Sequence, residues 1–151
     1  MKKIISLIAV FVFAGAMFAD DIETKITSTD LPEKAQEFLN TYFEGVKVKK
    51  AIKTVDTETY VTEYDVVLAN KTIIEFDMVG AWNEITLKNK KVVMPRFIYP
   101  KRVNETIDKQ FSDKKIVKVS NDGMEYEFNF KDGSEVTINA LGKVVEVEVE
   151  K

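Results

Sequence analysis

The chain contains no cysteine and no histidine among its 151 residues, only three prolines and a single tryptophan. Without cysteine there is no disulfide, thiol nucleophile, thiolate metal site or lipid-anchoring thiol. Without histidine there is no Ser-His or Cys-His catalysis, and no His-ligated zinc, iron or copper. Carboxylates, lysines, hydroxyls and the backbone are left to do any chemistry. What is present is an ordinary globular mixture, 45% apolar and 31% charged, outside the disordered and fibrous ranges.

Lys2 and Lys3 precede an apolar run from Ile4 to Phe18 that ends at Ala19-Asp20-Asp21. A short basic start, a hydrophobic stretch of about 15 residues and small residues at its exit describe a secretory signal peptide. The run is short for a membrane-spanning helix, which needs about 20 apolar residues. The sequence therefore predicts a signal peptide over 1–19, cut after Ala19, and a periplasmic or secreted protein without stable membrane insertion. Removing that segment leaves 20 basic and 25 acidic side chains. Such a balance excludes nucleic acid as the expected partner, since phosphate binding needs a basic stripe.

The chain also repeats itself. Tyr64-Asp-Val-Val-Leu68 aligns with Tyr126-Glu-Phe-Asn-Phe130, and the same offset carries Ile74, Phe76 and Gly80 onto Val136, Ile138 and Gly142. Upstream, Leu31-Pro32 meets Tyr99-Pro100, Leu39 meets Ile107 and Phe43 meets Phe111. Two copies are expected, over 30–87 and 99–150, joined by a basic connector over 88–98.

Each copy opens with a helix. Ala35, Phe38, Leu39, Tyr42 and Phe43 form one apolar stripe at helical spacing, with Asp30 as the expected N-cap and Gly45 as the stop. Val103, Ile107 and Phe111 keep the stripe in the second copy. Four period-two strands follow in each, the last alternating Val145, Val147 and Val149 against Glu146, Glu148 and Glu150, which predicts one buried face. The segments around 46–55 and 116–120 alternate too poorly for their faces to be assigned. A three-residue loop at Lys131-Asp132-Gly133 pairs Phe130 with Ser134, Phe128 with Val136 and Tyr126 with Ile138, with Gly133 in the left-handed position. In the first copy Lys71 takes that glycine's place, so its turn should be strained.

Leu31-Pro32, the helix ending Tyr42-Phe43-Glu44-Gly45, Tyr64-Asp-Val-Val-Leu68, Ile74-Glu-Phe-Asp77 and Gly80-Ala-Trp82 together resemble the exported PepSY-like proteins, a family described as similar to the beta-lactamase inhibitor protein. The second copy departs from the pattern, carrying Ile138-Asn139 and Gly142-Lys143-Val144 in place of Phe-Asp and Gly-x-Trp. The resemblance implies an α+β fold of two tandem repeats, each a helix packed on a four-stranded antiparallel sheet whose opposite face is open. It implies binding or inhibition of other exported proteins and supplies no catalytic residue.

The expected register sets Glu63 opposite Asp77 and Asp65 opposite Glu75 on the open face. Beside them lie Val61, Val67 and Ile73, and counting back from Ile85 and Leu87 adds Trp82. This constellation suits a basic protein surface around an aromatic anchor. The plainer reading is a solvated acidic face offset by Lys47, Lys49 and Lys53, with Trp82 plugging the core edge at a bend after Gly80. Carboxylates alone also suit calcium, although flat strands do not wrap an ion. Residues 88–102, the connector and the start of the second copy, hold Lys88, Lys90, Lys91, Arg96, Lys101 and Arg102 and no acid, and Met94, Phe97 and Ile98 should pin the connector to the core. The expected function is an exported, non-enzymatic binding module without cofactor or metal, whose partner is another exported or envelope protein. The rivals are a small-ligand or cation binder using the acidic face, and an envelope structural protein whose connector meets anionic polymer.

Overall fold

Alternating apolar and polar residues build nine strands, separated by two short helices. The computed structural model describes residues 21–149; the expected signal peptide over 1–19 lies outside the described residues. The strands are β1 (Asp21–Ile26), β2 (Val48–Asp56), β3 (Thr62–Leu68), β4 (Thr72–Phe76), β5 (Trp82–Leu87), β6 (Ile116–Asn121), β7 (Glu125–Phe130), β8 (Glu135–Asn139) and β9 (Val144–Glu148). Helix α1 (Glu33–Tyr42) lies between β1 and β2, and α2 (Lys101–Gln110) between β5 and β6. All nine strands form one antiparallel sheet in chain order.

This corrects the expected α+β class of two helix-on-four-strand repeats. The described chain is mostly β, a single continuous sheet with two short helices. β5 pairs with β6 through Glu84–Ser120, Ile85–Val119 and Thr86–Lys118, so the two sets of four strands share their backbone hydrogen bonds. Joining two edges satisfies donors and acceptors that separate sheets would leave open to water or other chains. The ninth strand, β1, pairs with β2 from Asp21–Asp56 to Ile26–Ala51, and its sequence carries too little alternation to announce it.

One row of side chains runs across the sheet toward the helices. Ala51, Val66, Ile74, Ile85, Val119, Phe128 and Val136 occupy successive paired positions, and all are buried. Leu31, Ala35, Leu39 and Phe43 from the α1 region cover one half of this layer, and Val103 and Ile107 from α2 the other. Each helix begins directly after a proline, Pro32 or Pro100. Asp30 caps a preceding 3-10 turn instead of α1, its carboxylate accepting from the Thr27 N–H at 2.8 Å and the Thr27 hydroxyl at 2.6 Å.

Two glycines seat the helices on the sheet. A Cβ on Gly80 would lie 2.7 Å from the Ala35 nitrogen, and one on Gly142 would lie 2.6 Å from the Arg102 carbonyl oxygen. Both have φ above +80°, which side chains disfavour. The Thr106 hydroxyl donates to the Gly142 carbonyl at 2.6 Å and fixes α2 to the same turn.

Two further expectations are corrected here. Val145, Val147 and Val149 are exposed, because β9 is the edge strand of the sheet and carries no helix over it. Of the connector residues Met94, Phe97 and Ile98, the first and last are buried, but Phe97 is exposed with a left-handed φ of 68°.

Candidate functional site: the open face of the sheet

The helices cover one face only, so the residues alternating with the core row form the other. Across the middle of the sheet the register places Asp65 beside Glu75, Glu75 beside Glu84, Glu84 beside Ser120 and Ser120 beside Glu127. Four carboxylates thus lie in one row over five adjacent strands, which stand about 4.8 Å apart. A parallel row contains Lys50, Val67, Ile73, Thr86 and Lys118.

Packing and charge set the chemistry of this face. Glu84 is held by the Lys118 ammonium at 2.9 Å, with both side chains largely buried, and it also accepts from the Thr86 hydroxyl at 3.1 Å and the Ser120 hydroxyl at 3.3 Å. Burial, reinforced by the neighbouring Glu84 and Asp65 charges, pushes Glu75 up to about 7. Burial with the Glu63 charge pushes Asp65 up to about 6, against the pull of Lys50. Burial also raises Glu127, with Glu135 adding to the effect. These are crowded, partly dehydrated carboxylates, and added positive charge would relieve them. Asn129 donates to Glu135 at 2.6 Å, while its own side-chain carbonyl oxygen is buried without a partner.

The residues singled out in the sequence fall in different places. Asp65 and Glu75 are directly opposed. Glu63 is exposed and pairs with Thr54 of β2. Asp77 lies beyond the end of β4, where its carboxylate accepts from the N–H groups of Val79 at 3.0 Å and Ala81 at 2.8 Å and braces the turn. Ile73 and Val67 are half-buried on the open face, and Val61 sits exposed in the loop before β3. Trp82 is buried, packed between Phe38 and Tyr126 at ring-centroid distances of 6.3 and 6.2 Å. A β-bulge sends it there: Phe76 pairs with Trp82 while Glu75 pairs with Glu84, so Asn83 is the extra residue and the alternation slips by one.

Glu84 and Lys118 are the central pair that the sequence reading left out of the site. Glu84 alternates with the buried Ile85, which puts it on the open face. Lys118 was hidden by a second bulge, between Ile116 and Lys118, which spoils the pattern of β6. Among the described residues no group of three or more acidic side chains is arranged to hold a metal ion, and no helix is long and apolar enough to cross a membrane. On the helix side, a cleft of about 260 Å³ is lined by Met94, Tyr99, Asn104 and Ile107, and the ion pair of Arg96 with Asp108 stands at its rim.

Residues 62–146 match the pattern of the beta-lactamase-inhibitor-like, PepSY-like family. The chain belongs to that family. Solved structures with the PepSY-like chain's fold include a protein of the DUF2874 family from Bacteroides vulgatus, 27% identical, with TM-score 0.73 over 84% of this chain and 97% of that one. A second Bacteroides vulgatus protein, of unknown function, is 28% identical with TM-score 0.74 over 85% and 99% of the two chains. A Bacteroides thetaiotaomicron protein named as calcium-regulated has TM-score 0.74 over 84% and 97%; at 24% identity it shows the fold alone. All three are named as periplasmic proteins. No curated protein matches the chain.

Proposed function

We propose that this PepSY-like chain is an exported, non-enzymatic binding module that receives a basic segment of another envelope protein on its open sheet face. The observation that carries the reading is the row Asp65, Glu75 and Glu84 on three adjacent strands, with the first two pushed above the usual carboxylate pKa range by burial. A lysine or arginine arriving there would relieve carboxylate repulsion already present in the free protein. Export is supported by the leader-like first nineteen residues and by the periplasmic names of the similar structures. Inhibition of the bound protein is the form of binding to which the family's name points.

A cation-binding use of the same face is the second reading, favoured by the four carboxylates in one row. The carboxylates here run along a row at strand spacing and do not converge, which suits a protein segment better than one ion.

The test compares capture from an envelope fraction by the wild-type protein and by Asp65→Asn/Glu75→Gln, with matched melting curves and with calcium or chelator present. A defined partner held by wild type and lost in the variant, regardless of calcium, supports the reading. Equal capture by both proteins removes the acidic face from the function. Melting raised by calcium in wild type only would transfer the face to the ion.

A further inference from the structure

We propose that copies of this chain dock head to tail, the hairpin end of one on the lysine-rich end of the next. This goes beyond the use of the sheet face, since it employs the two ends of the strands.

Four connections lie at one end of the sheet: the β2–β3, β4–β5, β6–β7 and β8–β9 turns. Their tips present Tyr60, Met78, Val79, Met124 and Leu141, each 60–77% exposed. In a strictly sequential sheet these turns stand two strands apart, about 10 Å, so the apolar tips form a ridge across the sheet end. Each turn is braced by its own side-chain acceptor. Asp56 accepts from the Glu58 and Thr59 N–H groups, Asp77 from Val79 and Ala81, Asp122 from Met124 and Glu125, and Asn139 from Leu141 and Lys143. The Ala140 N–H also donates to the Met124 carbonyl at 2.9 Å, tying two turns together. A ridge already fixed in place loses little entropy when it is covered.

Charge selects the occupant. The segments 56–61, 77–81, 121–125 and 139–143 hold five acids and one lysine. At the opposite end, segments 69–71, 88–91, 112–115 and 131–133 hold seven lysines and two aspartates. Val93 stands beside those lysines, just past the turn closed by the Val92 N–H and the Asn89 carbonyl, and it is 75% exposed. One end is therefore an apolar ridge among acids, the other a set of lysines beside one exposed valine, and the two ends carry opposite charge. The acidic ridge opposes attachment to an anionic bilayer and opposes ridge-to-ridge pairing. An acidic end meeting a basic end is a heterologous contact, and repeating it gives an open chain of subunits.

Sedimentation velocity on the purified protein tests this. The average mass should grow past that of a dimer as concentration rises toward about 1 mM, and fall when salt is raised from about 0.05 to about 0.5 M. Met78→Ser/Leu141→Ser removes the ridge, and Lys90→Glu/Val93→Ser removes the receiving end. Each should weaken self-association at least about tenfold, a loss of about 1.4 kcal/mol, with an unchanged circular-dichroism spectrum. Mixed together, the two variants should form a one-to-one dimer and nothing larger, because one intact head meets one intact tail. A wild-type protein that stays monomeric overturns the proposal and points to a different protein with a basic apolar patch. Variants that self-associate as strongly as wild type, or a mixture that does not pair, overturn it too.

Discussion

Asp65 and Glu75 face each other across β3 and β4, two carboxylates at directly opposed positions of an antiparallel pair. Such a pair is unfavourable when both groups are ionised, and burial, the larger cause, joins neighbouring negative charge in making both groups hold their protons. Asp65 is raised from 3.8 to about 6 and Glu75 from 4.5 to about 7. The folded state therefore binds protons more tightly than the unfolded state across this window. The penalty is absent well below the unfolded values, grows as pH rises from those values toward the folded ones, and is complete above about 7. Both groups keep partial solvent contact, so Glu75→Gln should stabilise the protein by about 1 kcal/mol at pH 8 and by nearly nothing at pH 4. Urea titrations at the two pH values check this, and an equal gain at both would show that ionisation of Glu75 is not the cause.

The glycines divide into two classes that mutation should separate. Gly45 has a left-handed φ of 76° but nothing within 4 Å of a would-be Cβ, whereas Gly142 has both the left-handed φ and the Arg102 backbone in the way. Gly45→Ala should cost about 1 kcal/mol, the backbone strain alone. Gly142→Ala should cost clearly more, about 3 kcal/mol, because α2 must move off the sheet. Chemical denaturation of the two variants gives the comparison, and equal losses would remove the helix-seating role.

Trp82 should behave as a core residue. Its emission should be blue-shifted and protected from acrylamide, and Trp82→Ala should cost about 3–5 kcal/mol. Trp82→Phe should keep most of that stability. A red-shifted, freely quenched emission would contradict the bulge that turns it inward.

Lys71 occupies a left-handed position with φ of 67°, in the turn where the other hairpin has Gly133 at 84°. Lys71→Gly relieves strain of about 1–2 kcal/mol and gives part of it back in unfolded-chain entropy. A net gain of about 0.5–1 kcal/mol in thermal or urea unfolding is expected. A loss would mean that the lysine stem contributes packing larger than the strain.

Features with a local cause were legible in the sequence. Turn chemistry at Asp132-Gly133 fixed the observed pairs Phe128–Val136 and Tyr126–Ile138, with the Phe130 N–H donating to the Ser134 carbonyl at 2.9 Å. The strain at Lys71 followed from the same logic. Helical spacing located Leu39 and Ile107 in the core. Features caused by one extra residue were not legible. Bulges interrupt β2 between Val48 and Lys50, β6 between Ile116 and Lys118, and the pairing of β4 with β5 beside Trp82. A bulge reverses the inward and outward assignment of everything beyond it, which is why β2 and β6 looked irregular and Trp82 was open to two readings. The β5–β6 seam was invisible for another reason: edge pairing depends on backbone groups that every residue carries.

The strictly sequential strand order also shapes how this molecule can be made. Neighbours in the sheet are neighbours in the sequence, so no strand has to be inserted between two that are already paired. A chain delivered from its N-terminus forward can add each strand to the growing edge as it emerges, hairpin by hairpin. Two pauses interrupt it: β1 waits from Ile26 to Val48 while α1 is laid down, and β5 waits as a bare edge from Leu87 to Ile116 until the connector and α2 have followed.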